Sequence, residues 1–199
     1  MFSERLRMPL SRIAFAAVLI VVLFTDHGWP QGSPIDVLTE IGGFTLLLIC
    51  AAGRIWSLLY IAGRKTSSLV QEGPYSLVRN PLYVSTVLGS IGVGLASENL
   101  LVLALIILFT LLTYWPVVRA EEARLLEVHG DAYRDYQRRV PQLIPSPRNF
   151  REPTELAVNP RVFRRGAAEA IAIIAIYMGL QMIEGLHAEG VLPVLLYIG

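Results

Sequence analysis

Tyr75, Arg79 and Tyr83 recur at four-residue intervals in the turn-rich run Gly73-Pro74-Tyr75-Ser76-Leu77-Val78-Arg79-Asn80-Pro81-Leu82-Tyr83. That spacing puts Arg79 and Tyr83 on one helix face. A guanidinium is a bidentate clamp for a carboxylate, and a helix N-terminus adds partial positive charge beside it. Asn80-Pro81 also has a purely structural reading, with Asn as N-cap and Pro at the first helical position. Arg79 and Tyr83 would then be interfacial anchors.

A second polar cassette runs from Glu121-Glu122 to Pro141. Adjacent carboxylates on a helix point about 100° apart, so one can turn inward while the other meets solvent. Such an acid can accept hydrogen bonds from ribose hydroxyls or face a cationic sulfonium. The plainer reading is a solvated continuation of the preceding helix, with Glu121 paired to Arg124. In Gly130-Asp131-Ala132-Tyr133, and on through Tyr136 and Val140, the apolar residues follow an i, i+3, i+7 pattern. This is an amphipathic interfacial helix, whose aromatics either wall a ring or anchor the segment.

Gly89, Ser90, Gly92 and Gly94 cluster in the intervening apolar segment. They either let two membrane helices approach closely or leave room for a ligand against the Gly92-Val93-Gly94 backbone. Arg54 lies about two turns inside another apolar run. Intramembrane arginine is costly and often functional, although it can snorkel to the interface. A role in holding an anionic substrate head is one reading of it.

These residues must be positioned by membrane helices. The chain has 199 residues, 54% hydrophobic and only 17% charged, below the roughly 25% charged of soluble domains. Several runs approach the roughly 20 residues that span hydrocarbon. The expectation is an all-α integral membrane bundle forming one domain over residues 1–199. About five transmembrane helices are predicted, at 9–25, 35–62, 81–96, 100–118 and 166–183. Residues 119–165 would form a cytoplasmic cofactor-binding and interfacial segment, and the tail 191–198 is too short to span.

All 17 Lys and Arg residues fall nearer to the N-terminus, 63–80 and 119–165 than to the alternate loops. The positive-inside rule then makes the N-terminus and both cassettes cytoplasmic, in an inner or plasma membrane. The net charge of +1 argues against nucleic-acid binding. Cys50 is the lone cysteine, which excludes disulfide frameworks and cysteine-rich metal sites. HExxH, CxxC, GxSxG, phosphate-loop and dinucleotide motifs are lacking, so no metal is expected.

The order and separation of the cassettes resemble the membrane superfamily of isoprenylcysteine carboxyl methyltransferases and phospholipid methyltransferases. The resemblance rests on Gly73-Pro74-Tyr75, Val78-Arg79-Asn80-Pro81-Leu82-Tyr83, Gly92-Val93-Gly94, Glu121-Glu122 and Gly130-Asp131-Ala132-Tyr133 with Tyr136, Val140 and Pro141, over residues 40–147. It implies S-adenosylmethionine as cofactor, with S-adenosylhomocysteine as product, bound by Tyr75, Arg79, Asn80, Pro81, Tyr83, Gly92, Gly94, Glu121, Glu122, Tyr133 and Tyr136. Catalysis on a lipid or lipidated carboxylate at the cytoplasmic interface is then expected of Arg79 and Glu122, and of Arg54 from its place inside an apolar run rather than from the resemblance. Many members carry His where this chain has Asn80, which cannot act as an acid or base near neutral pH. The fifth helix lies beyond the resemblance and either closes a lateral lipid entrance or forms a dimer contact.

Two alternatives share the pattern. One is an NADPH-dependent sterol-type membrane reductase, which has a similar Arg-x-Pro-x-Tyr helix start. The other is a non-catalytic membrane protein on the same fold. The methyl acceptor, and whether O or N is methylated, is not encoded in apolar helix faces.

Overall fold

A computed structural model describes residues 18–26, 30, 32–62 and 68–197. The chain is predominantly helical. Residues 18–24 (α1) are helical. They are followed by β1 (Thr25–Asp26), α2 (Pro34–Ile61), α3 (Pro74–Leu77), α4 (Pro81–Ala96), α5 (Leu100–Arg139), α6 (Pro160–Ala188) and β2 (Leu196–Tyr197). Among the described residues, α2, α5 and α6 are long and apolar enough to cross a membrane, whereas α4 is apolar but shorter. The first part of the expected helix over 9–25, and Arg64 and Lys65, lie outside the described residues.

Helix α4 occupies the predicted residues. Helix α5 runs far past the expected stop at 118, carrying Pro116 within it. The apolar stripe continues beyond the proline through Val118, Leu125 and Leu126 to Tyr133 and Tyr136, so packing overrides the breaker. The real break is Gly130, at φ 52° and ψ −123°, a conformation that glycine adopts without the usual Cβ penalty. Helix α6 starts six residues before its expected position. Asn159 Oδ1 caps it, accepting the N–H groups of Arg161 and Val162 at 3.1 and 3.3 Å, with Pro160 at the first turn.

The chain divides into two compact units. The first comprises residues 1–48, 89–113 and 174–199. Here α2 and α4 approach backbone to backbone: a Cβ on Gly43 would lie 2.7 Å from Ala96 N, and one on Gly92 would lie 2.9 Å from Gly43 O. Small residues make such contacts possible between membrane helices. Asn99 caps α5 by accepting the Leu101 and Val102 N–H groups at 3.0 and 3.1 Å. The tail is not free, because β2 pairs in parallel with β1, Leu196 opposite Thr25 and Tyr197 opposite Asp26.

The second unit comprises residues 49–88 and 114–173. Its buried cluster is Tyr133, Tyr136 and Val140, with Leu69, Leu125 and Leu126 packed against it. The amphipathic face read from spacing is therefore a core face.

Candidate functional site

The site is built in the second unit around the loop between α3 and α4. Gly73, at φ 57°, opens α3, and the Tyr60 ring occupies the space where a Cβ would sit. Ser76 Oγ donates to Gly73 O at 2.6 Å and accepts Arg151 N–H at 3.0 Å. Gly73 N–H donates to Arg151 O at 2.7 Å, Ser146 N–H to Leu77 O at 2.9 Å, and Arg79 N–H to Pro141 O at 2.9 Å. The segment after α5 thus holds the loop in place along its length, and extended Val78 delivers Arg79 and Asn80 to the start of α4.

Arg79 makes four side-chain hydrogen bonds. Nε and Nη2 donate to the two oxygens of Glu122 at 3.0 and 3.4 Å. Nη1 donates to Gln137 O at 3.1 Å and Val140 O at 3.0 Å. Glu122 also accepts from Asn80 Nδ2 at 2.9 Å and Gln142 Nε2 at 3.2 Å. The Asn80 side chain therefore serves this carboxylate. Its backbone carbonyl accepts the first N–H groups of α4.

Glu121 takes a different partner, accepting Tyr83 O–H at 2.7 Å. The two acids do point apart, but neither is given up to solvent, since both are half-buried. Tyr83 also meets Tyr114 edge-on, with ring centroids 5.7 Å apart.

A cavity of about 420 Å³ opens here, lined among others by Arg54, Tyr75, Arg79, Asn80, Pro81, Tyr83, Thr86, Glu121 and Tyr136. Its volume is within the range of small-molecule sites, roughly 300–1,000 Å³. Two polar atoms in its lining residues, Arg54 Nε and Tyr75 Oη, are buried without a hydrogen-bond partner. Arg54 is otherwise held by Nη1 donating to Thr86 Oγ1 at 3.0 Å. Burial, reinforced by the Glu121 charge, pushes the Tyr75 phenol far above its usual pKa, so it stays a neutral donor. Tyr136 O–H donates to Tyr75 O at 2.6 Å, which fixes the wall. Unsatisfied buried groups are rare and call for a partner.

Glu122 lines a second cavity of about 370 Å³ with Trp115, Arg119, Gln137 and Gln142. The Arg119 guanidinium sits 5.9 Å from the Trp115 ring centroid, a cation–π distance. The Arg79–Glu122 pair thus contributes its Arg to one cavity and its Glu to the other.

Most of the residues singled out from sequence meet in this unit. Tyr133 is there too, but packed in the buried cluster with 1% exposure. Gly92 and Gly94 belong to the other unit, where a Cβ on Gly94 would lie 2.8 Å from Leu103 Cα. Sequence reasoning passed over Thr86, Tyr114, Gln137 and Gln142. Thr86 follows Tyr83 by one helical turn, a signal that was available. Gln142 follows Pro141 in irregular chain and offered none.

Residues 37–132 match the phospholipid methyltransferase family. A protein-S-isoprenylcysteine O-methyltransferase of Schizosaccharomyces pombe is 32% identical over 95 residues, 47% of this chain and 40% of that protein. The chain belongs to the isoprenylcysteine carboxyl and phospholipid methyltransferase superfamily. The superfamily match contains Arg79, Asn80, Glu121 and Glu122 and ends just before Tyr133. Two relatives extend over nearly the whole chain. The cobalt-zinc-cadmium resistance protein CzcN of Cupriavidus metallidurans is 33% identical over 191 residues, 96% of this chain and 88% of the relative. The nickel-cobalt-cadmium resistance protein NccN of Alcaligenes xylosoxydans xylosoxydans is 32% identical over 183 residues, 92% and 85% respectively. No solved structure matches the chain at a significant level.

Proposed function

We propose that this membrane protein is an S-adenosylmethionine-dependent methyltransferase acting on a lipid or lipidated carboxylate at the cytoplasmic interface of an inner or plasma membrane. The observation that carries the reading is the 420 Å³ cavity with Arg54 Nε and Tyr75 Oη buried and unpartnered in its walls. Superfamily membership supplies the reaction class.

The cofactor would bring a methyl on a sulfonium, whose carbon–sulfur bond breaks as the acceptor oxygen–carbon bond forms. Glu121 suits the cationic end of such a group, and Tyr75 and Tyr83 its polar edges. Arg54 suits the anionic acceptor, which is already ionised near neutral pH and needs no base. Arg79 and Glu122 act as positioning residues, holding the loop and the Glu121 helix against each other. The work left to the protein is alignment and exclusion of water. Asn80 then needs only to hold Glu122, which does not require a titratable group.

The test is calorimetric titration of S-adenosylhomocysteine into detergent-purified protein. Wild type should bind, and Glu121→Gln should bind at least about tenfold more weakly, roughly 1.4 kcal/mol. Arg54→Leu should retain cofactor affinity and lose acceptor binding. NADPH binding in place of the homocysteine derivative would assign the reductase reading. Binding of neither would assign a non-catalytic role.

The names of the two long relatives favour a physiological setting in divalent-metal resistance, with the methylated product in the same membrane. Complementation of a metal-sensitive deletion strain by wild type and not by Glu121→Gln would tie resistance to catalysis. Equal complementation by both would separate the two.

A further inference from the structure

The first unit holds three carboxylates that the proposed reaction does not use. Asp36 comes from the first turn of α2, Glu98 from the α4–α5 turn, and Glu184 from near the end of α6. One oxygen of each lies within 4.8 Å of the others. Asp36 is 8% exposed and Glu98 4% exposed. Like charges packed this closely repel one another, and a cation held between them offsets that repulsion. The nearby base is His187, 8% exposed, which lines the same small gap as Glu98 and Glu184. Its Nε2 lies 3.0 Å from Leu23 O, a contact that requires Nε2 to carry the proton and leaves Nδ1 as an acceptor when the ring is neutral.

A second observation points to a ligand. Asp36 Oδ2 accepts the Gly32 N–H at 2.6 Å, but Oδ1 is buried with no hydrogen-bond partner. A buried carboxylate oxygen normally faces a donor. The Asp36 carboxylate as a whole belongs to a cluster of acceptors, which is the environment of a cation ligand. Two oxygens bound to one ion at about 2.0–2.6 Å can stand no more than about 4–5 Å apart, so the cluster is within bonding reach of a single ion.

We propose that Asp36, Glu98 and Glu184 form a divalent-cation site tying together the ends of α2 and α6 and the α4–α5 turn. Three carboxylate oxygens make a hard donor set, suited to Mn²⁺, Mg²⁺ or Ca²⁺. No sequence motif announces it, because the ligands come from three separated segments.

Mn²⁺ is the probe. Full-length protein in detergent is stripped with chelator and titrated, free Mn²⁺ being read by electron paramagnetic resonance. Wild type and Glu189→Gln, which alters an exposed acid of the same unit, should each take up one saturable ion. Asp36→Asn and Glu184→Gln should each weaken uptake at least about tenfold. Mn²⁺ should raise the unfolding temperature of wild type and leave that of Glu184→Gln unchanged. Absence of a saturable site in wild type overturns the proposal. So does binding that survives both substitutions. If Asp36→Asn fails to fold, Glu184→Gln, at a half-buried position, decides alone.

Discussion

Arg79 and Glu122 face each other fork to fork, Nε to Oε1 at 3.0 Å and Nη2 to Oε2 at 3.4 Å, with their side chains 12% and 13% exposed. They stand 43 residues apart in sequence, so the pair joins the start of α4 to the middle of α5. A mostly buried pair of this kind is a poor source of net stability but a severe loss when halved. Arg79→Ala or Glu122→Ala should each lose about 3–5 kcal/mol, read as a lowered denaturation midpoint in detergent. The double change Arg79→Met with Glu122→Leu should recover much of it. Ordinary stability in either single variant would remove the pair from its positioning role.

Tyr75 gives the converse case. Its hydroxyl is buried and unpartnered, so Tyr75→Phe removes an unsatisfied group worth about 1–3 kcal/mol. The unliganded variant should be as stable as wild type or more so. Its affinity for S-adenosylhomocysteine should fall several-fold. A variant that binds as tightly as wild type would detach the hydroxyl from the ligand.

Gly73 tests the loop. Alanine there meets both a left-handed backbone and the Tyr60 ring. Each strained backbone position costs on the order of 1–3 kcal/mol. Gly73→Ala should lower the melting temperature by several degrees and reduce ligand binding with it. Indifference of both would mean that the loop tolerates a different path.

Gly92 separates packing from binding. The Cβ of Gly92→Ala would stand 2.9 Å from Gly43 O, and overpacking of this kind costs about 1–3 kcal/mol. The variant should melt lower while the folded fraction binds cofactor with unchanged affinity. Lost affinity at an unchanged melting temperature would return Gly92 to the ligand pocket.

Much of this arrangement was legible because its signals are local. Asn80-Pro81 marks the start of α4, and Tyr133, Tyr136 and Val140 mark one face by spacing alone. The adjacent acids Glu121 and Glu122 do diverge as helix geometry requires. What spacing could not say is which partner each would find. Arg79 reads as an open clamp until the chain brings Glu122, Gln137 and Val140 around it. The length of α5 was hidden by Pro116, whose breaking tendency is outweighed by the apolar stripe on either side. Asp36, Glu98 and Glu184 share no sequence neighbourhood, so their meeting depends wholly on tertiary structure.

The pairing of Thr25 with Leu196 sets an order of events during synthesis. The two partners are separated by most of the chain, so β1 leaves the ribosome long before its neighbour exists. At translation rates of about 5–20 residues per second, the first strand waits roughly ten to thirty seconds for the second. During that wait its backbone groups must be served by water, lipid headgroups or the insertion machinery. The residues that close the first unit are therefore made long after those they close on. A ribosome stalled before Leu196 should present a chain whose second unit has every segment it needs and whose first unit remains open.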